Sequence, residues 1–327
     1  MSKILITSDW HIQSGIYTSI GMDYIDYLST FCTENGIEDI FIAGDIFEKS
    51  SKISNDAFIP LFFKFMELKK KGFKITIVLG NHDIYSVDND SLVETFAVFG
   101  KVFKEVGQIE LGGRKIDLLP YTKDPNNIPP MGDVLITHLS IADFAFDNKY
   151  HVSEKAGFSR KLFEDYDKVF TGHFHRPQSK DNIIYMGSPY QMNFGEIDQQ
   201  KGFIVFDLET NEYERHMYTG APTYKRIKSK DYNKVDVNNC FVQVEIEEKL
   251  DSYVQLKHIL YEKGAIEVSP VFIENADAAA KINNDSKIDV NNSVPDMIKE
   301  YINDSIEIEG IKADKLIKIF DKLLGEM

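Results

Sequence analysis

Asp9 and His11 stand two residues apart just past a short apolar run, Lys3 to Thr7, and the same arrangement recurs along the chain. Asp45 follows Asp39 to Ala43, and Asn81 and His82 follow Lys74 to Val78. His138 follows Val134 to Thr137, and His173 and His175 follow Lys168 to Thr171. Carboxylates, an amide carbonyl and imidazoles, without a thiolate, suit manganese or a similar first-row divalent ion better than a structural zinc. The inventory fits two ions, and one carboxylate must then serve both. Asp45, alone on the middle strand, is the choice. Two dications about 3.5 to 4 Å apart can hold a phosphodiester for in-line attack and make hydroxide available near neutral pH. The leaving alkoxide needs a proton, for which His82, next to a ligating Asn81, is the candidate acid. Asp83 is expected to orient the His82 ring.

The elements that must position these residues alternate in period. Lys3 to Thr7, Asp39 to Ala43 and Lys74 to Val78 read as buried strands. Between them, Met22 to Asn35 reads as a helix ended by Gly36, and a second helix opened by Ser54-Asn55-Asp56 closes at Gly72. This β-α-β-α-β order predicts a mostly parallel sheet whose strand ends gather the polar residues at one edge. After residue 100 strands dominate. Gln108 to Leu111 and Lys115 to Leu119 flank Gly112-Gly113 as a hairpin. Ile183 to Met186, Phe203 to Asp207 and Tyr213 to Tyr218 follow, while Ser140 to Asp167 is a polar and aromatic excursion.

The chain has 327 residues, 43% of them hydrophobic, enough for a large first domain and something smaller. Cys32 and Cys240 imply no disulfide framework, and no apolar run suits a signal peptide or a membrane span. The expectation is a cytoplasmic protein with no membrane partner. A formal net charge of -15 argues at first against a nucleic-acid partner. Its distribution softens that argument, because residues 1–230 carry a net of -6 and residues 231–327 a net of -9.

Asp9-Trp10-His11, Gly44-Asp45-Ile46-Phe47-Glu48, Gly80-Asn81-His82-Asp83, Thr137-His138 and Gly172-His173-Phe174-His175 resemble, in order, the motifs of the calcineurin-like metallophosphoesterases. The first two, with Gly187 to Glu196, are most similar to the SbcD-type DNA repair nucleases, whose small phage members share this compact length. The resemblance implies an α/β fold, a four-layer αββα sandwich followed by a small α+β capping domain and C-terminal helices. It implies that Asp9, His11, Asp45 and His175 hold one metal, and Asp45, Asn81, His138 and His173 the other. His82 is then the unligated catalytic histidine. It further implies two manganese ions, DNA as substrate, and an SMC-like ABC ATPase (SbcC type) as partner; a homodimer stays open. A lone Asp-x-His is as often structural as ligating, but five ordered motifs are not. His151, His216 and His258 lie outside the pattern.

The layout divides into a nuclease domain over residues 1–222, a capping domain over 223–275, a linker over 276–292 and a helical ATPase-binding segment over 293–327. Within the cap, Cys240 to Ile246 reads as strand, Asp251 to Lys263 as helix and Ala265 to Ile273 as strand. Another phosphoesterase would share the metal site, although Asp45 is followed by Ile-Phe-Glu, without the arginine of phosphoprotein phosphatases. A dead scaffold of the same fold should have lost ligands, and none is missing.

Overall fold

The computed structural model describes residues 2–49, 53–86, 90–129, 132–145, 151–153, 156–246 and 250–272. In chain order the strands begin with β1 (Lys3–Thr7), β2 (Asp39–Ala43), β3 (Lys74–Val78), β4 (Lys101–Phe103) and β5 (Gly107–Leu111). Next come β6 (Arg114–Leu119), β7 (Val134–His138), β8 (Lys168–Gly172), β9 (Gln178–Lys180) and β10 (Ile183–Tyr185). The last are β11 (Gly202–Asp207), β12 (Glu212–Met217), β13 (Thr223–Lys228), β14 (Cys240–Ile246) and β15 (Glu267–Phe272). The helices are α1 (Ile16–Asn35), α2 (Asn55–Lys70) and α3 (Leu250–Glu262).

Two six-stranded sheets form the sandwich, in the orders β12-β11-β1-β2-β3-β4 and β5-β6-β7-β8-β10-β9. The centre of each is parallel: β1, β2, β3 and β4 in one, β6, β7, β8 and β10 in the other. Strands buried on both faces carry near-continuous apolar runs, as Ile4-Leu5-Ile6 and Leu135-Ile136 do. Between the sheets lie Ile6, Phe41, Val78, Ile136, Phe170 and Phe206. On the outer face of the first sheet, α1 and α2 bury Tyr24, Leu28, Leu61 and Phe65 against Trp10 and Ile42. The outer face of the second is covered by Leu139, Ile141, Phe144 and Phe163, from the long excursion between β7 and β8. Among the described residues no α-helix covers that face; 3-10 turns and extended chain make the fourth layer.

Helix α1 starts six residues earlier than the periodicity predicts. Gly15 turns the chain at φ 77°, and the Thr18 hydroxyl donates to the Gln13 carbonyl at 2.7 Å. Its first turns contain Thr, Ser and Gly, which mask the helical pattern. Gly21 packs closely there, because a Cβ would lie 2.8 Å from Ile12 Cγ1 and force that side chain to shift. The polar residues also do not line one edge of one sheet. β1 to β3 belong to the first sheet and β7 and β8 to the second, so the centre is assembled across the sandwich.

From Thr223 the chain forms a separate three-stranded sheet, β13-β14-β15, with its own core of Ile227, Val242, Val244, Leu256 and Leu260. The basic run is the parallel edge strand β13, with Tyr224 and Ile227 buried and Arg226 and Lys228 exposed. Tyr224 and Phe241 join this sheet to α1: Tyr17 bonds the Tyr224 hydroxyl at 2.8 Å and its ring lies parallel to Phe241 at 5.9 Å. Residues 1–271 accordingly form one compact unit. The expected linker and helical segment, 276–292 and 293–327, lie outside the described residues.

Candidate metal centre

Each candidate ligand stands one to four residues past a strand or on its last residue, and four of them take a backbone shape that side chains disfavour. Asp9, His11, Asp45 and His173 have φ of 55°, 45°, 55° and 92°. Non-glycine residues in this region cost roughly 1 to 3 kcal/mol each and persist only where the surroundings over-determine them. Here they do. The Asp9 amide donates to the Gly44 carbonyl at 3.0 Å, and the His11 amide to the Asp45 carbonyl at 3.0 Å. Asp9 Oδ1 accepts the His173 amide at 3.0 Å. Trp10 packs behind the ligands, 1% exposed, its indole N–H donating to Thr7 Oγ1 at 3.0 Å.

Asp45 is central. Its Oδ2 lies 3.1 Å from His138 Nε2 and 3.6 Å from His11 Nε2, while its Oδ1 accepts the His82 amide at 2.8 Å. One carboxylate oxygen thus faces both halves of the cluster. On one side, His11 Nε2 and His175 Nε2 are 3.0 Å apart, with Asp9 completing a group able to hold a metal. On the other, Asp45, His138 and His173 form a second such group, and Asn81 Oδ1 lies 3.1 Å from His138 Nε2 and 2.8 Å from His173 Nδ1. All seven sequence-derived ligands come together.

The donor set fits divalent ions. Two imidazole nitrogens turned toward each other at 3.0 Å need a proton or a cation between them, and the carboxylates of Asp9 and Asp45 stand beside them. Burial would raise the Asp45 pKa, but the charge and hydrogen bond of His138, then the charges of His11 and His82, hold it below the ordinary carboxylate range. Burial likewise would lower His138, yet Asp45 raises it to about 9.

His82 and Asp83 divide differently from expectation. The His82 ring borders the cleft beside His11, with ring centroids 4.8 Å apart, and its Nδ1 is engaged by the Glu48 carbonyl. Asp83 does not orient that ring. Fully buried, it accepts the amides of Asp45 and Gly80 on Oδ2 at 2.8 and 2.9 Å and that of Ile46 on Oδ1 at 3.0 Å. Its role is to shape the backbone of both loops, which the acidic residue type alone does not reveal.

Two further carboxylates stand behind the histidines. Glu48 Oε2 lies 2.8 Å from His11 Nδ1, and Glu196 Oε1 lies 2.9 Å from His175 Nδ1. A carboxylate on Nδ1 fixes the ring and turns the Nε2 lone pair inward. Glu48, His11 and His82 also form a third group with metal-ligand spacing, overlapping the first at His11. Glu196 is held in turn by Lys201 Nζ at 2.9 Å, by the Met192 amide at 3.0 Å and by Asn193. Both glutamates lie within stretches that the motif resemblance covers, but nothing in their spacing shows which ring each would meet. His216, by contrast, stacks on Phe203 away from the centre.

The sequence pattern of the calcineurin-like phosphoesterases matches residues 2–206. The chain belongs to this family. As a phosphoesterase it is a hydrolase, and nuclease subunits are among its relatives. It is 23% identical over 352 residues to exonuclease subunit 1 of Enterobacteria phage T4, an alignment covering 99% of each chain. It is 24% identical over 252 residues to a subunit of the nuclease SbcCD from Staphylococcus epidermidis, covering 64% of this chain and 67% of the relative. Among solved structures, a dimetal phosphatase from Danio rerio aligns with 63% of this chain and 92% of its own, at 12% identity and a TM-score of 0.40. No helix among the described residues is long and apolar enough to cross a membrane.

Glu196 generates the test of this geometry. Burial would raise its pKa, and the His175 hydrogen bond with the Lys201 charge instead brings it from 4.5 to about 2. A depressed pKa means that the ionised pair stabilises the fold above about pH 4.5 and loses that contribution as pH falls toward 2. Glu196→Gln should therefore flatten the acid limb of the stability curve and weaken divalent-metal binding roughly 10- to 100-fold in calorimetric titration. Unaltered metal affinity would show that the His175 ring is held by something else.

Proposed function

We propose that the chain is a manganese-dependent DNA nuclease that acts with an SMC-like ABC ATPase in recombination, repair or replication of DNA. The observation that carries this reading is Asp45 Oδ2 standing between two groups of imidazole and oxygen donors. The names of the phage and bacterial relatives, an exonuclease subunit and a nuclease subunit, support a nucleic acid as the substrate. Asp9, His11, Asp45 and His175 would hold one ion, and Asp45, Asn81, His138 and His173 the other. Bound there, two dications supply an activated water and positive charge for the phosphoryl oxygens.

The protein's own groups do the rest. Asp45 sets the spacing of the two halves. Asp83 keeps the loops after β2 and β3 in register, with Asn81 beside His138 and His173, and His82 beside His11. His82, with Nδ1 engaged by the Glu48 carbonyl, is left with Nε2 to give a proton to the departing oxygen. Incubation with labelled single- and double-stranded DNA, with manganese and then with chelator, tests the activity directly.

Asp45→Ala should abolish both metal binding and cleavage, read by calorimetry and by nuclease assay; two retained high-affinity sites would remove Asp45 from its bridging role. His82→Ala should keep the metals and the DNA affinity while losing roughly two to four orders of magnitude in cleavage rate. Loss of metal in that variant would make His82 a ligand. The ATPase is assigned to residues 293–327, where Met297, Ile298, Tyr301 and Ile302 repeat at helical spacing, as do Leu316, Ile317, Phe320, Leu323 and Leu324. A chain ending at Asn275 should keep metal-dependent cleavage and fail to co-purify with the ATPase. Continued association would place the docking surface elsewhere.

A further inference from the structure

Two clefts flank the Asn81 and His173 side of the centre and share one wall, the segment Tyr121-Thr122-Lys123 that follows β6. The first, about 540 Å³, runs from Asn81 along Ile84 and Lys104 to Asn127. The second, about 480 Å³, runs past Ser140 and Phe158 to Leu162. The shared wall is anchored, because the Tyr121 amide donates to the Leu79 carbonyl at 2.8 Å, at the end of β3. The Tyr121 ring stands 5.8 Å from His173 and 6.4 Å from His138, centroid to centroid. An aromatic residue therefore separates two clefts immediately beside the candidate metal centre.

The volumes fall in the range that takes one nucleotide-sized ligand each. Charge points the same way. Lys123 is exposed, Lys104 is paired with Glu94 at 3.2 Å, and Glu105 lines the same cleft. Two lysines and a carboxylate, on a region of net charge -6, cannot grip a run of phosphates by counterion release alone. Stacking is the contribution this surface offers in its place, since every unpaired base presents a π-face and a paired one inside a duplex does not.

We infer that the Tyr121-Lys123 wall is a platform for a single-stranded segment next to the scissile phosphate, with an unpaired base on Tyr121 and a flanking phosphate at Lys123. This rests on the nuclease reading. It selects, within that reading, frayed or single-stranded ends over closed duplex, and it predicts binding that depends less on salt than a basic groove would.

The test uses the full chain, chelator, and a fluorescent single-stranded oligonucleotide followed by anisotropy, with a blunt duplex in parallel. Tyr121→Ala should weaken the single strand roughly 5- to 140-fold, the range for loss of one stacked base, and affect the duplex little. Tyr121→Phe, which keeps the ring, should bind close to wild type, and the Lys123→Ala variant should bind more weakly with a shallower salt dependence. Calorimetric metal binding should be the same in all three. An alanine variant that binds the single strand as wild type does overturns the platform and leaves the nuclease reading standing. So does equal weakening of single strand and duplex. A wild-type chain that binds no oligonucleotide and cleaves none overturns both.

Discussion

The centre depends on a pair of reciprocal contacts between the loops after β2 and β3. Asp83, in the second loop, accepts the amides of Asp45 and Ile46 in the first; Asp45 accepts the amide of His82 in the second. The Asp83 contacts to the first loop are buried, so removing its carboxylate would leave buried donors unpaired, at about 1 to 3 kcal/mol each. The interlock also needs Gly80. A Cβ there would stand 2.2 Å from Asp45 Oδ1 and 2.4 Å from the Asp45 nitrogen, distances that no side chain tolerates. The position of Asp45 Oδ2 between His11 and His138 is a consequence of this closeness.

Closeness has a conformational cost. Asp9, His11, Asp45 and His173 hold left-handed backbone where glycine would be easy, because each side chain is needed at its place. Two β-sheets with shared apolar faces and a helical layer offset that cost. The candidate ligands sit where local preference is violated, while the strands behind them carry the buried apolar runs that strands favour.

Much of this was legible before the structure. Apolar runs that stop at Asp, Asn or His mark the strands and their carboxyl ends, and seven candidate ligands at five such ends come together in one cluster. What was not legible depends on who meets whom. That β7 and β8 lie in a second sheet follows from β5 to β10 pairing among themselves, information that no single run contains. Glu48 and Glu196 sit where many acidic residues would be solvated, and only the fold shows that each faces an imidazole. Asp83 illustrates the limit most directly: its neighbour in sequence is His82, but besides the nearby Gly80 amide it accepts amides 37 and 38 positions away.

The two halves of the centre are not equivalent, and the difference bears on how an anionic substrate enters. His11 and His175 each have a carboxylate on Nδ1, whereas His138 Nδ1 bonds the Ala43 carbonyl at 2.8 Å and His173 Nδ1 faces the neutral Asn81. An imidazole backed by a carboxylate is the stronger donor at its other nitrogen. The first half therefore has its rings held by carboxylates, and it carries Asp9, Glu48 and Glu196 around it. The second half carries Asn81 where another carboxylate would have fitted. The cleft over the first half is lined by Glu48, Glu196 and Arg176, with Glu196 paired to Lys201; the cleft at Asn81 is lined by Lys104, Lys123 and Glu105. Cleft-lining charge, two carboxylates beyond Asp45 and one cation on the first side against two cations and one carboxylate on the second, thus favours an anion on the Asn81 side.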